Sequence, residues 1–176
     1  MEKLVTPSDN DMVFLFSNLI PQAQALNGGL WEELEDYCRS LADSGDEVLV
    51  MCGPSRFTGA TFASGHVAVP GYNWKIAVIV PPGGSNAASR INYSTRVIAI
   101  NVTNSASVSG TWANFVTSVN DLQTQTGFNF FTAVPPNVAA VLRSVVDGQS
   151  PPAPAISGFS PASGRWAPAL RSLAPT

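Results

Sequence analysis

Residues 17–54 read SNLIPQAQALNGGLWEELEDYCRSLADSGDEVLVMCGP, and this stretch carries the first decision about the fold. Leu30, Leu34, Cys38 and Leu41 recur at helical spacing, and Trp31 and Tyr37 widen the apolar stripe. Glu32, Glu33, Asp36 and Arg39 occupy the other faces, so the segment is an amphipathic helix. Ser44-Gly45 closes it with a C-terminal glycine. Upstream, Pro21 cannot continue a strand ladder. Downstream, Glu47 to Met51 (EVLVM) has strand character and Cys52-Gly53-Pro54 reads as its end.

Working outward, Val13 to Phe16 is a short apolar run predicted to be a buried strand ending at Ser17-Asn18. Two strands are predicted over His66–Val69 and Trp74–Val80, joined by Pro70-Gly71-Tyr72-Asn73, and another over Arg96–Val102. Phe115, Val116, Val119 and Leu122 mark a second helix stopped at Gly127. A third is predicted from an Asn137 cap to Gly148, after Pro135-Pro136. Trp31 and Trp112 fall on helices and Trp74 on a strand, all three as core residues. Helices and strands mix without regular alternation, which predicts an α+β fold with an antiparallel sheet flanked by helices. After Gly148 the chain turns to QSPPAPAISGFSPASG, a linker-like composition, so residues 1–148 form the globular unit.

Composition narrows the function. Nine Lys and Arg against 12 Asp and Glu give a formal charge of −3, which excludes nucleic-acid binding by bulk charge and leaves only a local basic site. No apolar run approaches the roughly 18 residues of a membrane span, so no membrane partner is expected. Residues 1–7, MEKLVTP, have no apolar signal region. The two cysteines, Cys38 and Cys52, are too few for a cysteine-only zinc site; they are read either as one bridge or as two buried thiols. The single histidine, His66, has no ligand partners in sequence and reads as an ordinary strand or surface residue.

Asn27 and Glu35 lie eight residues apart, about 80° around a regular helix, and Arg39 follows Glu35 by one turn. An amide oxygen, a carboxylate and a guanidinium on one helical face suit phosphate chemistry around a hard cation that keeps several waters. The plainer alternative is an exposed Glu35–Arg39 pair worth about 0.3–0.5 kcal/mol, with Asn27 as a helix cap.

The same residues carry a resemblance. SNLIPQ, LN, W, LEDYCR and EVLVMCGP, in that order, resemble the core signature of the DNA/RNA non-specific endonucleases, the ββα-metal nucleases. VAVPGYNWKIAVIV, RVIAINV and WANFVTSVNDLQTQTGFNFFTAVP follow in the family's order, and the likeness runs from about Asp9 to Asp147. The resemblance implies Mg²⁺-dependent (or Mn²⁺-dependent) hydrolysis of DNA and RNA phosphodiesters. It implies Asn27 as the metal ligand, Glu35 as the residue that positions metal-bound water, Arg39 near the scissile phosphate, and Asn18 in support.

One departure is large. The family's general base is a histidine in an Asp-Arg-Gly-His motif preceding Ser-Asn-x-x-Pro-Gln, and no such motif occurs in the 176 residues. The chain is therefore expected to be the C-terminal part of a nuclease domain, N-terminal portion missing, and inactive or nearly so by itself. The alternative is a non-catalytic metal- or nucleic-acid-binding fragment of a secreted multidomain protein; an adhesion or structural module is a third reading. The resemblance and the tail together imply a secreted bacterial protein. Residues 149–164 are expected to be a Pro/Ser/Ala linker running into PAISGFSPASG, which resembles the opening of Ig-like IPT/TIG domains. Residues 165–176 then read either as a frameshifted tail or as a natural Pro/Ala-rich terminus.

Overall fold

A computed structural model describes residues 19–149 together with Leu15. The strand expected over Val13 to Phe16, Asn18, and everything beyond residue 149 lie outside the described residues, Leu15 apart. A π-helical turn, Leu26–Trp31, leads into helix α1, Glu32–Asp43. Strands β1 (Glu47–Phe62) and β2 (Val67–Val80) follow as one long hairpin. A short helix α2 (Ala87–Arg90), strand β3 (Arg96–Thr103), a 3₁₀ turn (Trp112–Phe115), and helices α3 (Val119–Thr126) and α4 (Pro136–Ser144) complete the order.

The sheet is antiparallel with order β1-β2-β3 and sits between two helical layers. Side chains alternate across it, as the two-residue period of a strand requires. Ala77, Ile79, Ile98, Ile100 and Val102 face Leu26, Leu30, Trp31, Leu34 and Cys38 from the π turn and α1. Trp74, Ile76, Val78, Val97 and Ala99 face Val119, Leu122, Val138 and Leu142 from α3 and α4. β2 is buried from Asn73 to Val80, because both of its faces are covered and both of its edges are paired.

The strands run further than their sequences suggest. β1 continues through Cys52-Gly53-Pro54 to Phe62, and β2 runs unbroken through Pro70-Gly71. Both outcomes have one cause. Among the described residues β1 lies at an edge of the sheet and β2 pairs with β3 only from Tyr72 onward, so each proline occupies a position where those residues form no outer ladder. His66 falls in the Ala63–His66 turn between the strands and not in a strand. Gly53 is directly opposite Trp74, whose indole crosses it and donates to the Pro54 carbonyl at 3.2 Å.

The helix expected from Phe115 is divided. Val116 bridges to Ile100, extending the sheet, so a regular helix starts only after Ser118. The Ser118 hydroxyl accepts from the Asp121 N–H at 3.1 Å, and the Asp121 carboxylate accepts from Ser118, a reciprocal cap. Gly127 ends α3 at φ +75°, where a side chain is strained. In α4, Pro135 takes the capping position and Pro136 the first turn. Asn137 therefore lies inside the helix and its amide donates to the Tyr93 hydroxyl. Trp112 sits on the 3₁₀ turn, half-buried, and stacks on Tyr37 with ring centroids 5.3 Å apart.

A Cβ added at Gly53 would stand 2.8 Å from the Trp74 ring. Gly53→Ala is expected to displace the indole from its edge-to-face contacts with Phe128 and Phe130 and to cost about 1–3 kcal/mol, read by thermal unfolding and tryptophan fluorescence. Ser118→Ala is expected to cost about 1 kcal/mol at neutral pH. The Ser118 hydroxyl holds the Asp121 carboxyl below its ordinary 3.8, so that stabilisation is present above the ordinary value and is lost as pH falls through the folded one. Denaturation at pH 7 and below pH 3 should show the Ser118→Ala deficit shrinking in acid.

Candidate active site

Asn27, Trp31, Glu35 and Arg39 recur at every fourth position, but the helix beneath them is not regular. Gly28 (φ −92°, ψ 20°) and Gly29 (φ −131°, ψ −108°) depart from helical dihedrals inside the π turn, so the angle expected between Asn27 and Glu35 does not apply. Glycine is a poor helix former, and two in succession let the turn open. Asn27 is exposed and lines an open cavity of about 410 Å³ with Leu19, Ile20, Gln22, Trp31 and Cys52. Glu35 lines a second, smaller cavity of about 120 Å³ with Cys38, Val50, Cys52 and Lys75. The two side chains thus occupy neighbouring cavities that share Cys52, not one cleft.

Glu35 is held by two cations. Lys75 Nζ donates to its Oε1 at 2.9 Å, and Arg39 Nη2 lies 3.6 Å from its Oε2. Arg39 also bonds the Asp36 carboxylate, and its guanidinium is half-exposed, which leaves it able to meet a phosphate from solvent. Lys75 is different. It is 2% exposed, in the middle of β2, and its ammonium stands 4.0 Å from the centroid of the Trp31 ring. Burial pulls the Lys75 ammonium below its ordinary value, while the hydrogen bond to Glu35 pushes back.

Lys75 falls within VAVPGYNWKIAVIV, one of the segments that carry the resemblance, with no role assigned to it; the signal for one is a lone charge inside the apolar run NWKIAVIV of a fully covered strand. A buried ammonium requires a paired partner, so such a lysine points to an acidic residue across the packing layer. On the same face, two residues earlier, Asn73 is 1% exposed.

Of the four expected site residues, the structure places Asn27, Glu35 and Arg39 along the π turn and α1, and Asn18 lies outside the described residues. His66 is exposed at the far turn of the hairpin, on a groove with Phe62 and Val67. Among the described residues no group of three or more His, Cys, Asp or Glu is arranged around a metal site. What position 27 offers is one neutral oxygen at a cavity mouth, with a carboxylate one cavity away. That donor set fits a hard cation that retains most of its water, and not a cation that needs several soft ligands.

Residues 3–137 match the family model of the DNA/RNA non-specific endonucleases. The chain belongs to that family. A nuclease of Nostoc sp. is 36% identical over 146 residues, which are 83% of this chain and 53% of that protein. Human mitochondrial endonuclease G is 37% identical over 86 residues, 42% of this chain and 29% of that protein. A crystal structure of the EndoG/EndoGI complex superposes with a TM-score of 0.57 at 20% identity, over 82% of this chain and 59% of that one, and supports the α+β fold. The chain therefore spans about half the length of the Nostoc nuclease, and less of human endonuclease G. Among the described residues, no helix is long and apolar enough to cross a membrane.

Cys38 and Cys52 line the same small cavity as free thiols, the first buried and the second exposed. Desolvation raises both above the ordinary thiol value, opposed by the Lys75 charge. Alkylation at pH 7.5 followed by mass spectrometry is expected to modify Cys52 first and Cys38 only on unfolding. Protection of both until a reductant is added would show a bridge instead.

Proposed function

We propose that this chain carries the metal-binding and phosphate-binding side of a nuclease site acting on DNA and RNA phosphodiesters. The observation that carries the reading is the placement of Glu35: a carboxylate fixed by a buried ammonium on one oxygen, facing an exposed arginine on the other, one cavity from Asn27. Family membership supports it. Asn27 would hold the cation, Mg²⁺ or Mn²⁺, through its amide oxygen. The bound cation would supply Lewis-acid stabilisation of charge on the phosphate and the leaving oxygen. Glu35 accepts hydrogen bonds from water at the mouth of its cavity and orients it. Arg39 offers a planar pair of N–H donors to a phosphate, the contact a chain of net charge −3 must make locally. Asn18 is proposed to support this cluster.

The described residues that surround Asn27 include no proton acceptor of histidine type; the one histidine of the sequence, His66, is at the hairpin turn. A general base contributes about 10²–10⁴ in rate, so this chain is expected to cleave that much more slowly than the Nostoc nuclease.

A supercoiled-plasmid nicking assay with Mg²⁺ or Mn²⁺ tests the reading. Residual nicking by the chain should fall about tenfold or more in Asn27→Ala and in Glu35→Gln, and Arg39→Ala should lower cleavage while leaving thermal stability nearly unchanged. Turnover equal to the Nostoc nuclease would overturn the inference of a missing base. Indifference to Asn27→Ala would overturn the site itself.

A further inference from the structure

We propose that Lys75 is a positioning residue that fixes Glu35 for its role beside the cation, an assignment that rests on the site reading above. Among the described residues it is the one buried side chain that is formally charged. Its ammonium has two neighbours of note, Glu35 Oε1 at 2.9 Å and the face of Trp31 at 4.0 Å. Both belong to the every-fourth-residue stripe of the π turn and α1, and Trp31 also lines the cavity of Asn27. Cys52, paired with Lys75 across the β1–β2 ladder, lines both cavities. Lys75 thus stands where the two halves of the site meet.

Stability alone does not explain a charge there. An apolar side chain of similar length would fill the space without desolvating an ammonium, and such replacements are often neutral or stabilising. What the ammonium adds is orientation. Glu35 is only partly covered, its side chain 29% exposed, and a glutamate on an exposed helix face samples many rotamers. Anchoring Oε1 to a side chain rooted in the central strand removes that freedom and leaves Oε2 turned toward Arg39, 3.6 Å away. The carboxylate's heading is then set by the sheet and not by the helix that bears it.

Two effects of Lys75 on a divalent cation have opposite signs, which makes the assignment testable. As a bystander, its positive charge repels the cation, so its removal would tighten binding. As a positioning residue, its removal frees Glu35 and weakens binding. The experiment is titration of the full chain with Mn²⁺ alone, free Mn²⁺ being read by electron paramagnetic resonance, for wild type, Asn27→Ala, Glu35→Gln, Lys75→Met and the Glu35→Gln/Lys75→Met double variant. Groups that hold metal-site residues in place typically contribute about 10–100-fold in affinity, and Lys75→Met is expected to weaken Mn²⁺ binding by roughly tenfold. The double variant should bind no more weakly than Glu35→Gln, because Lys75 acts through Glu35. Unchanged or tighter binding by Lys75→Met, or additive losses in the double variant, would overturn the assignment while leaving the site intact. No Mn²⁺ binding by wild type, or none lost in Asn27→Ala, would instead overturn the site reading and this inference with it. If circular dichroism shows Lys75→Met unfolded, Lys75→Gln, uncharged and one bond too short to keep the 2.9 Å contact with Glu35, takes its place: weaker binding than wild type supports the role, and equal or tighter binding overturns it.

Discussion

The arrangement depends on one charge that the fold has placed out of water. Lys75 stands in the central strand of a sheet covered on both faces, and an ammonium there is tolerable only if paired. Its partner must come from the layer above, so α1 has to lie over β2 with Glu35 directly above position 75. The apolar contacts of Leu30, Leu34 and Cys38 with Ala77, Ile79 and Ile98 set that distance, and the ion pair sets the rotation of α1 about its own axis. Hydrophobic burial is non-directional; a hydrogen bond at 2.9 Å is not. The two together turn one face of α1 toward the cavities that flank Lys75.

A second set of polar contacts restrains the same helix on either side of Glu35. Arg96 bonds the Asp147 carboxylate through two nitrogens at 2.8 Å each and donates to the Tyr37 hydroxyl at 2.6 Å, while Tyr37 stacks on Trp112. The Trp112 backbone N–H donates to the Glu33 carboxylate at 3.0 Å. These ties connect α1 to the start of β3, to the 3₁₀ turn and to the segment after α4. Being partly exposed, each contributes modestly, and their joint effect is to limit rocking of α1 against the sheet.

Much of this was legible in the sequence. The amphipathic spacing of Leu30, Leu34, Cys38 and Leu41 marked α1, and the apolar runs marked the cores of β2 and β3, because pattern and burial agree there; the run in β1 marked a strand whose Leu49 and Val50 are exposed. The strand limits were not legible. Gly53, Pro54, Pro70 and Gly71 are turn formers by local propensity, yet they sit at an edge or beyond the reach of β3, a fact only the sheet order supplies. The spacing of Asn27 and Glu35 was read on a regular helix, and the Gly28-Gly29 break changed its outcome. The role of Lys75 was not legible because its partner is 40 residues away.

That separation has a kinetic side. The π turn and α1 carry the amide, carboxylate and guanidinium in sequence order, but nothing in them supplies the buried ammonium that anchors the carboxylate. The restraint arrives only when the chain has closed a 40-residue loop and zipped a hairpin whose two strands have 16 and 14 residues. Contacts of such range form after local ones, since the closure entropy must be met before they return anything. Competence at this site therefore depends on the closure of a loop that the helix itself does not contain.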